Sequence, residues 1–291
     1  MTTLVELCAG SAAVSLRWLS PSGKPPIGYQ GGKRAYADAI LDAMGLAPGG
    51  GAREGRVVLV EAGPWGEAWA LWRTAAGRRD TCERLRAWER EDPRALWERL
   101  CRAPVPSEVE RRVATWAAVQ FHGWGRKPVI AEDGNWRHHG FNESDAYRVE
   151  RANERRAAGE HYDIGRNRRL PELIAALEAL DLSRVEVHHA DARTVEPIPG
   201  AHVYIDPDYE GTTGYGHTLP RPEVLALAKR HRAAGCVVAV SEAKPLPLDG
   251  WHYHRLPPPV GRGRTWSEQQ AEWLTLSRPP AHRQASLFGA A

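Results

Sequence analysis

The sequence predicts an α/β fold: a doubly wound, mostly parallel sheet with a helical insert. Three observations lead there. Near-continuous runs of Val, Ile, Leu and Ala recur at both ends of the chain, the pattern of strands buried on both faces. A segment of helical periodicity at 222–235 joins two of these runs into a βαβ unit. Finally, acids stand just after several runs, and in an open α/β sheet the carboxyl ends of the strands are where ligands bind.

Each element follows in order. "TLVEL" (3–7) reads as the first strand, and "SAAVSLRWL" (11–19) as a helix after a tight turn at Gly10. "RVVLVEAG" (56–63), "RVEVHHAD" (184–191), "AHVYID" (201–206) and "CVVAVSEA" (236–243) are the next four strands. "WHYHRL" and "AEWLTLSR" read as a terminal, antiparallel pair. The division expected is a ligand-binding domain from 1–74 and 181–280, an Arg-, Glu- and Trp-rich helical insert at 75–180, and a tail at 281–291.

Composition limits the function classes. With 291 residues, 42% hydrophobic and 26% charged, the chain can bury a full core. Its apolar stretches are interrupted by charge, as Glu6 interrupts the first, so neither a membrane span nor a signal peptide is expected and a cytoplasmic location is. Cys8, Cys82, Cys101 and Cys236 lack paired spacing and read as buried thiols. The pairs His138-His139 and His188-His189 lack the further Cys or acid of a zinc pattern, so no metal is expected. A net charge of +3 does not announce nucleic acid, but placement matters. Lys and Arg gather between Arg111 and Arg169, including Arg112, Arg126, Lys127 and Arg137, interleaved with Trp116, Trp124, Trp136, His138 and His139. That mixture suits a phosphate-tracking, base-stacking surface, and equally a solvated helical face over core tryptophans.

The strand ends carry Glu6 with "CAGSAA", Glu61, Asp191, "DPDY" (206–209) and "SEA" (241–243). A glycine turn before a helix lets a nucleoside approach the backbone and the free N–H groups of the helix start. Glu61, ending the second strand, suits ribose hydroxyls and equally suits a helix cap. Trp65 reads as packing or as lining the same pocket.

Taken together, "LVELCAGSAAVSL", "GYQGGKRAYADAI", "VYIDPDYEGTTGYG" and "WLTLSRP" resemble the Dam-like, D12-class DNA adenine N6 methyltransferases. The resemblance spans roughly 3–41 and 184–280. It implies a Rossmann-like sheet of the class I methyltransferase type, S-adenosyl-L-methionine as cofactor and double-stranded DNA as partner. By resemblance Glu6, Cys8, Ala9, Gly10 and Ser11 form the loop that holds the methionine part. Tyr29, Gly31, Gly32 and Lys33 match the aromatic-x-Gly-Gly-Lys segment, Asp191 the acid that meets adenine, and Asp206 also borders the cofactor.

The family's Asp-Pro-Pro-Tyr loop implies the chemistry. An exocyclic amino nitrogen is a poor nucleophile because its lone pair is delocalised into the ring. Acceptors at Asp206 and the Pro207 carbonyl would draw it toward tetrahedral geometry. Tyr209 would stack on the base after it leaves the duplex, an interaction worth about 1–3 kcal/mol. The chain departs from the family at three places: Asp208 replaces the second proline, Ala12 stands at a usual glycine, and the Gly-Gly-Lys segment follows the first loop instead of preceding it. The Asp208 side chain is expected to turn away and cap the Gly211-Thr212 turn; if it pointed inward with Asp206, one carboxyl would titrate high.

Two alternatives stay open: transfer to cytosine N4, or a nucleic-acid-binding protein that keeps the fold with altered catalysis. An RNA target is a third. The tail "QASLF", Gln284 to Phe288, resembles the short peptide by which bacterial replication proteins dock on the sliding clamp, and can also be a strand of its own domain. Roles in restriction, regulation or phage anti-defence read alike from sequence, and a monomer suffices for chemistry on one base.

Overall fold

The computed structural model describes residues 1–28, 32–123, 127–142, 170–209, 218–257 and 272–281. Its frame is a seven-stranded sheet. In chain order the strands are β1 (Thr3–Leu7), β2 (Arg56–Val60), β5 (Val185–His188), β6 (His202–Ile205), β7 (Val237–Glu242), β8 (His252–Arg255) and β9 (Trp273–Leu276), laid side by side as β5-β2-β1-β6-β7-β9-β8. The first five are mutually parallel, and β9 runs antiparallel between β7 and β8. The order reverses at β1, whose neighbours β2 and β6 lie on opposite sides. The expected strands are thus all present, including the antiparallel pair.

Alternation along each strand divides the core in two. Leu4, Val57, Leu59 and Tyr204 face one apolar cluster; Val5, Leu7, Val58, Val60, Val203 and Ile205 face the other. The second is covered by α8 (Arg221–Ala233) through Val224, Leu227 and Ala228. The first is covered by α1 (Ala13–Leu19), α2 (Ala37–Ala43), α3 (Pro64–Trp72) and the helices that follow. Helices on both faces are what a buried parallel sheet requires.

The segment 75–180 holds α4 (Ala75–Ala87), α5 (Pro93–Arg102), α6 (Val109–His122), a hairpin of β3 (Ile130–Glu132) and β4 (Asn135–Arg137), and α7 (Leu170–Glu178). Thr74 caps α4 by accepting from the Gly77 N–H at 2.9 Å, and Asp92 caps α5 ahead of Pro93. The hairpin was not foreseen: it is two three-residue strands, too short for a periodic signal, although "EDGN" is a turn sequence. Residues of α4–α7 share one apolar cluster with the sheet, Trp116 and Leu173 together with Leu4 and Leu59. The expected insert therefore extends the helical layer instead of standing apart.

Tryptophans hold that layer. The Trp65 and Trp69 rings stack at 5.6 Å, Trp116 meets Trp65 edge-on at 5.0 Å, and Trp72 meets Trp69 edge-on at 5.5 Å. Trp116 and Trp136 are buried, so neither is presented for base stacking. Trp124 lies outside the described residues. Arg112 is drawn into an ion pair with Glu67 of α3 that ties α6 to the sheet-covering layer. Among these, the core reading of the basic and aromatic stretch holds for Trp116, Trp136 and Arg112. Arg111, Arg137 and His139 remain exposed.

Candidate functional site

The strand ends converge as the topology requires. Leu7 and Asp206 end neighbouring strands, and the Asp206 N–H donates to the Leu7 carbonyl at 3.1 Å. After β1 the chain passes through three positive φ values, Cys8 at 56°, Gly10 at 45° and Ala12 at 52°. This coils the loop tightly against the sheet. Gly10 meets the requirement without strain; Ala12 does not.

Two acids brace the loop. Glu6 points from β1 to the start of α1 and accepts from the Ser15 N–H at 2.8 Å. It is buried, and burial pushes its carboxyl up to about 7 against the pull of the Ser15 hydrogen bonds. Glu61 spans two loops, accepting from the Gly10 N–H and the Gly63 N–H at 2.8 Å each. Gly63 is the residue just ahead of α3, so Glu61 braces the turn into that helix and also fixes the first loop; each of its oxygens keeps a further lone pair. On the far side the Trp69 indole donates to the Gly10 carbonyl at 2.8 Å. Trp65 packs against Trp69 and Trp116.

The Asp-Pro-Asp-Tyr segment meets Lys33 here. Lys33 sits on a 3-10 turn (Lys33–Ala35) after Gly32, buried, with its ammonium 2.9 Å from Asp206 Oδ1 and 3.8 Å from Glu272 Oε1. Burial works to discharge it, and Asp206 and Glu272 outweigh that effect, so the ammonium is held above the ordinary lysine range. Burial likewise lifts Asp206, with Lys33 offsetting part of the rise. The same ammonium lies 4.7 Å from the centre of the Tyr209 ring. Tyr209 donates its phenol to Glu272. Lys33 thus reaches Asp206 although its segment follows the first loop in sequence.

Asp208 does not turn away. One carboxylate oxygen is buried with no hydrogen-bond partner among the described residues, and burial, then the charges of Glu61 and Asp206, push the carboxyl up to about 7. The expected cap to Gly211-Thr212 lies outside the described residues, as do Tyr29, Gly31 and Gln284–Phe288. Cys8 is half-buried, as is Cys101, while Cys82 and Cys236 are buried as expected; loss of solvent, then the charges of Glu61, Asp206, Asp208 and Asp191, push the Cys8 thiol well above its ordinary value. Asp191 caps a 3-10 turn through the Arg193 N–H at 2.8 Å and is paired with the Arg193 guanidinium.

Sequence reasoning missed Glu272. A signal was present: β9 is antiparallel, so its beginning lies at the same edge where the parallel strands end. Burial pushes Glu272 up to about 7, with Lys33 pulling down. Among the described residues no group of three His, Cys, Asp or Glu is disposed to hold a metal, and no helix is long and apolar enough to cross a membrane. A cavity of about 310 Å³ lined by Trp88, Leu100, Val105 and Arg111 belongs to the α5–α6 region and shares no residue with the strand-end site.

Chemically, the site offers a strained glycine-containing loop, several carboxyls with Lys33 set between Asp206 and Glu272 and Arg193 paired with Asp191, and the aromatic ring of Tyr209. Such a set fits a nucleoside bearing positive charge: Asp208 keeps an unpartnered buried acceptor, and Gly10 permits close backbone approach. No protein-family model matches the chain, and no curated protein sequence matches it.

Proposed function

We propose that the protein is an S-adenosyl-L-methionine-dependent DNA methyltransferase that acts on adenine N6 of a base swung out of the duplex. The observation that carries the reading is the convergence of Asp206, Pro207, Tyr209 and Lys33 at the point where strand order reverses. Numbered within the sheet, the order is 3-2-1-4-5-7-6. That is the doubly wound order 3-2-1-4-5-6 with an antiparallel strand set between the last two, which agrees with a class I methyltransferase type of Rossmann-like fold. The loop Glu6, Cys8, Ala9, Gly10 and Ser11, with Glu61, would hold the cofactor, and Asp191 would join it only by releasing Arg193. When bound, the cofactor supplies an electrophilic methyl group on a positively charged sulfur.

Asp206 and the Pro207 carbonyl would accept the two amino hydrogens, freeing the nitrogen lone pair. When the nitrogen gains the methyl and the methyl's bond to sulfur breaks, Asp206 would take the amino proton that is lost, or pass it to solvent. Lys33 now holds an Asp206 oxygen and would yield it to the incoming amino group. Because Lys33 lies over one face of Tyr209, a stacked base takes the other. Alignment of nucleophile and methyl is an orientation effect, for which roughly 7–11 kcal/mol is attainable.

The test is mass spectrometry of nucleosides from mixed-sequence duplex DNA after incubation with the protein and S-adenosyl-L-methionine. N6-methyladenine, lost in Asp206→Asn, is the expected outcome; N4-methylcytosine moves the target and keeps the mechanism. The inward Asp208 carboxyl favours a second reading, a methyltransferase-fold binding protein with altered catalysis. Cofactor binding without any methylated nucleoside would select that reading.

A further inference from the structure

The carboxylate at the start of β9 turns toward the strand-end site, with one hydrogen bond back to Ser241 of β7. Glu272 is pinned by its backbone, the Leu256 N–H donating to its carbonyl at 2.8 Å, and its side chain is 9% exposed. A buried acid is a poor choice for packing, since glutamine fills the same volume with no charge to desolvate. Its partners are the phenol of Tyr209 and the ammonium of Lys33, both of the group read above as acting on the base, and the hydroxyl of Ser241 on β7. Tyr209 lies four residues beyond the end of β6, outside any strand, so its ring orientation needs an anchor from another element. The Lys33 ammonium sits between the two carboxylates, 2.9 Å from Asp206 just after β6 and 3.8 Å from Glu272 just before β9, strands that lie on either side of β7.

We propose that Glu272 is a positioning residue of the transfer, its carboxylate fixing the plane of the Tyr209 ring through the phenol and holding Lys33 between itself and Asp206. This rests on the methyltransferase reading. Two χ angles orient a tyrosine, and the hydroxyl tether adds a third fixed point at the far end of the ring, so the base meets a platform already in place. Glu272 would touch neither base nor cofactor.

The experiment compares wild type, Glu272→Gln, Glu272→Ala, Tyr209→Phe and the Glu272→Gln/Tyr209→Phe double variant. The readouts are turnover at saturating duplex, S-adenosyl-L-methionine affinity by calorimetry, and the tyrosine Raman doublet taken as wild type minus Tyr209→Phe. The doublet is expected to report a strong phenol donor, and in the Glu272→Ala background the same difference, taken against Glu272→Ala/Tyr209→Phe, loses it. Glu272→Gln is expected to lower turnover about tenfold with cofactor affinity within about twofold, and the double variant to fall no further than the worse single. Unchanged turnover in Glu272→Gln, multiplying effects in the double, or a matching loss of cofactor affinity would each overturn the proposal. If Glu272→Ala does not fold, the glutamine variant decides by the same measures. A wild type that transfers no methyl group overturns the functional reading and this role with it. Transfer with an unperturbed phenol overturns only the role of Glu272.

Discussion

Glu6→Gln tests whether the first loop is built around a buried, proton-hungry carboxyl. The carboxyl is 2% exposed and lifted from 4.5 to about 7 by burial. The native state therefore binds its proton more tightly than the unfolded chain. With a native value above the unfolded one, stability is full below about 4.5, falls as pH rises, and levels off above about 7. Taking 1.36 kcal/mol per unit, the loss from this group between about pH 5 and pH 8 is about 2–3 kcal/mol. Glutamine fills the same space and still accepts from Ser15, but it does not ionise. Urea unfolding of both proteins across that range is the assay. The variant should gain on wild type by that amount as pH rises. A difference that is flat with pH, or that grows in the opposite direction, would refute the placement of Glu6.

Three further outcomes are expected. Trp116→Ala should lose about 3–5 kcal/mol by urea unfolding, whereas Arg111→Ala should stay within about 0.5 kcal/mol; a mild Trp116 variant would restore the surface reading. Ala12→Gly should leave stability unchanged or raise it by up to about 1 kcal/mol, because relief at φ 52° exceeds or matches the added freedom of the unfolded chain; a clear loss on the same assay counts against the left-handed loop. Asp208→Asn should melt progressively above wild type as pH rises from the ordinary aspartate range through about 7, since its native value too is raised; a constant gap in melting temperature would show an outward, solvated side chain.

The frame was legible because buried parallel strands write themselves as apolar runs. "TLVEL" became β1 residue for residue, and the two terminal segments read as an antiparallel pair became β8 and β9. What the helical insert packs against was not legible, because periodicity reports that a helix has an apolar face without saying what covers it. Trp116 looked available for stacking until its ring was placed against Trp65. In the site, Lys33 and Asp206 were recognised in separate motifs and the fold brought them within 2.9 Å. Glu272 carried no motif of its own. It could have been found only by combining the antiparallel sense of β9 with the rule that ligands sit at the other strands' carboxyl ends.

The acids of the site set a condition on whatever fills it. Glu6, Asp208 and Glu272 are each pushed to about 7, and each raised carboxyl makes the ligand-free fold weaker near neutrality. A chain needing only stability there would do as well with amides. Lys33 answers Asp206 and Glu272 but not Asp208, whose perturbing charges are Glu61 and Asp206. Perturbed acids gathered at a strand-order reversal are the mark of a working site. In the proposed function a positively charged ligand would lie on the Glu61–Asp208 side, and an amino-bearing ring on the side of Tyr209 and Asp206. A sulfonium nucleoside and a flipped base meet those two demands at once. Aspartate at 208, in place of the proline that the Dam-like pattern carries, strengthens the first demand without touching the second.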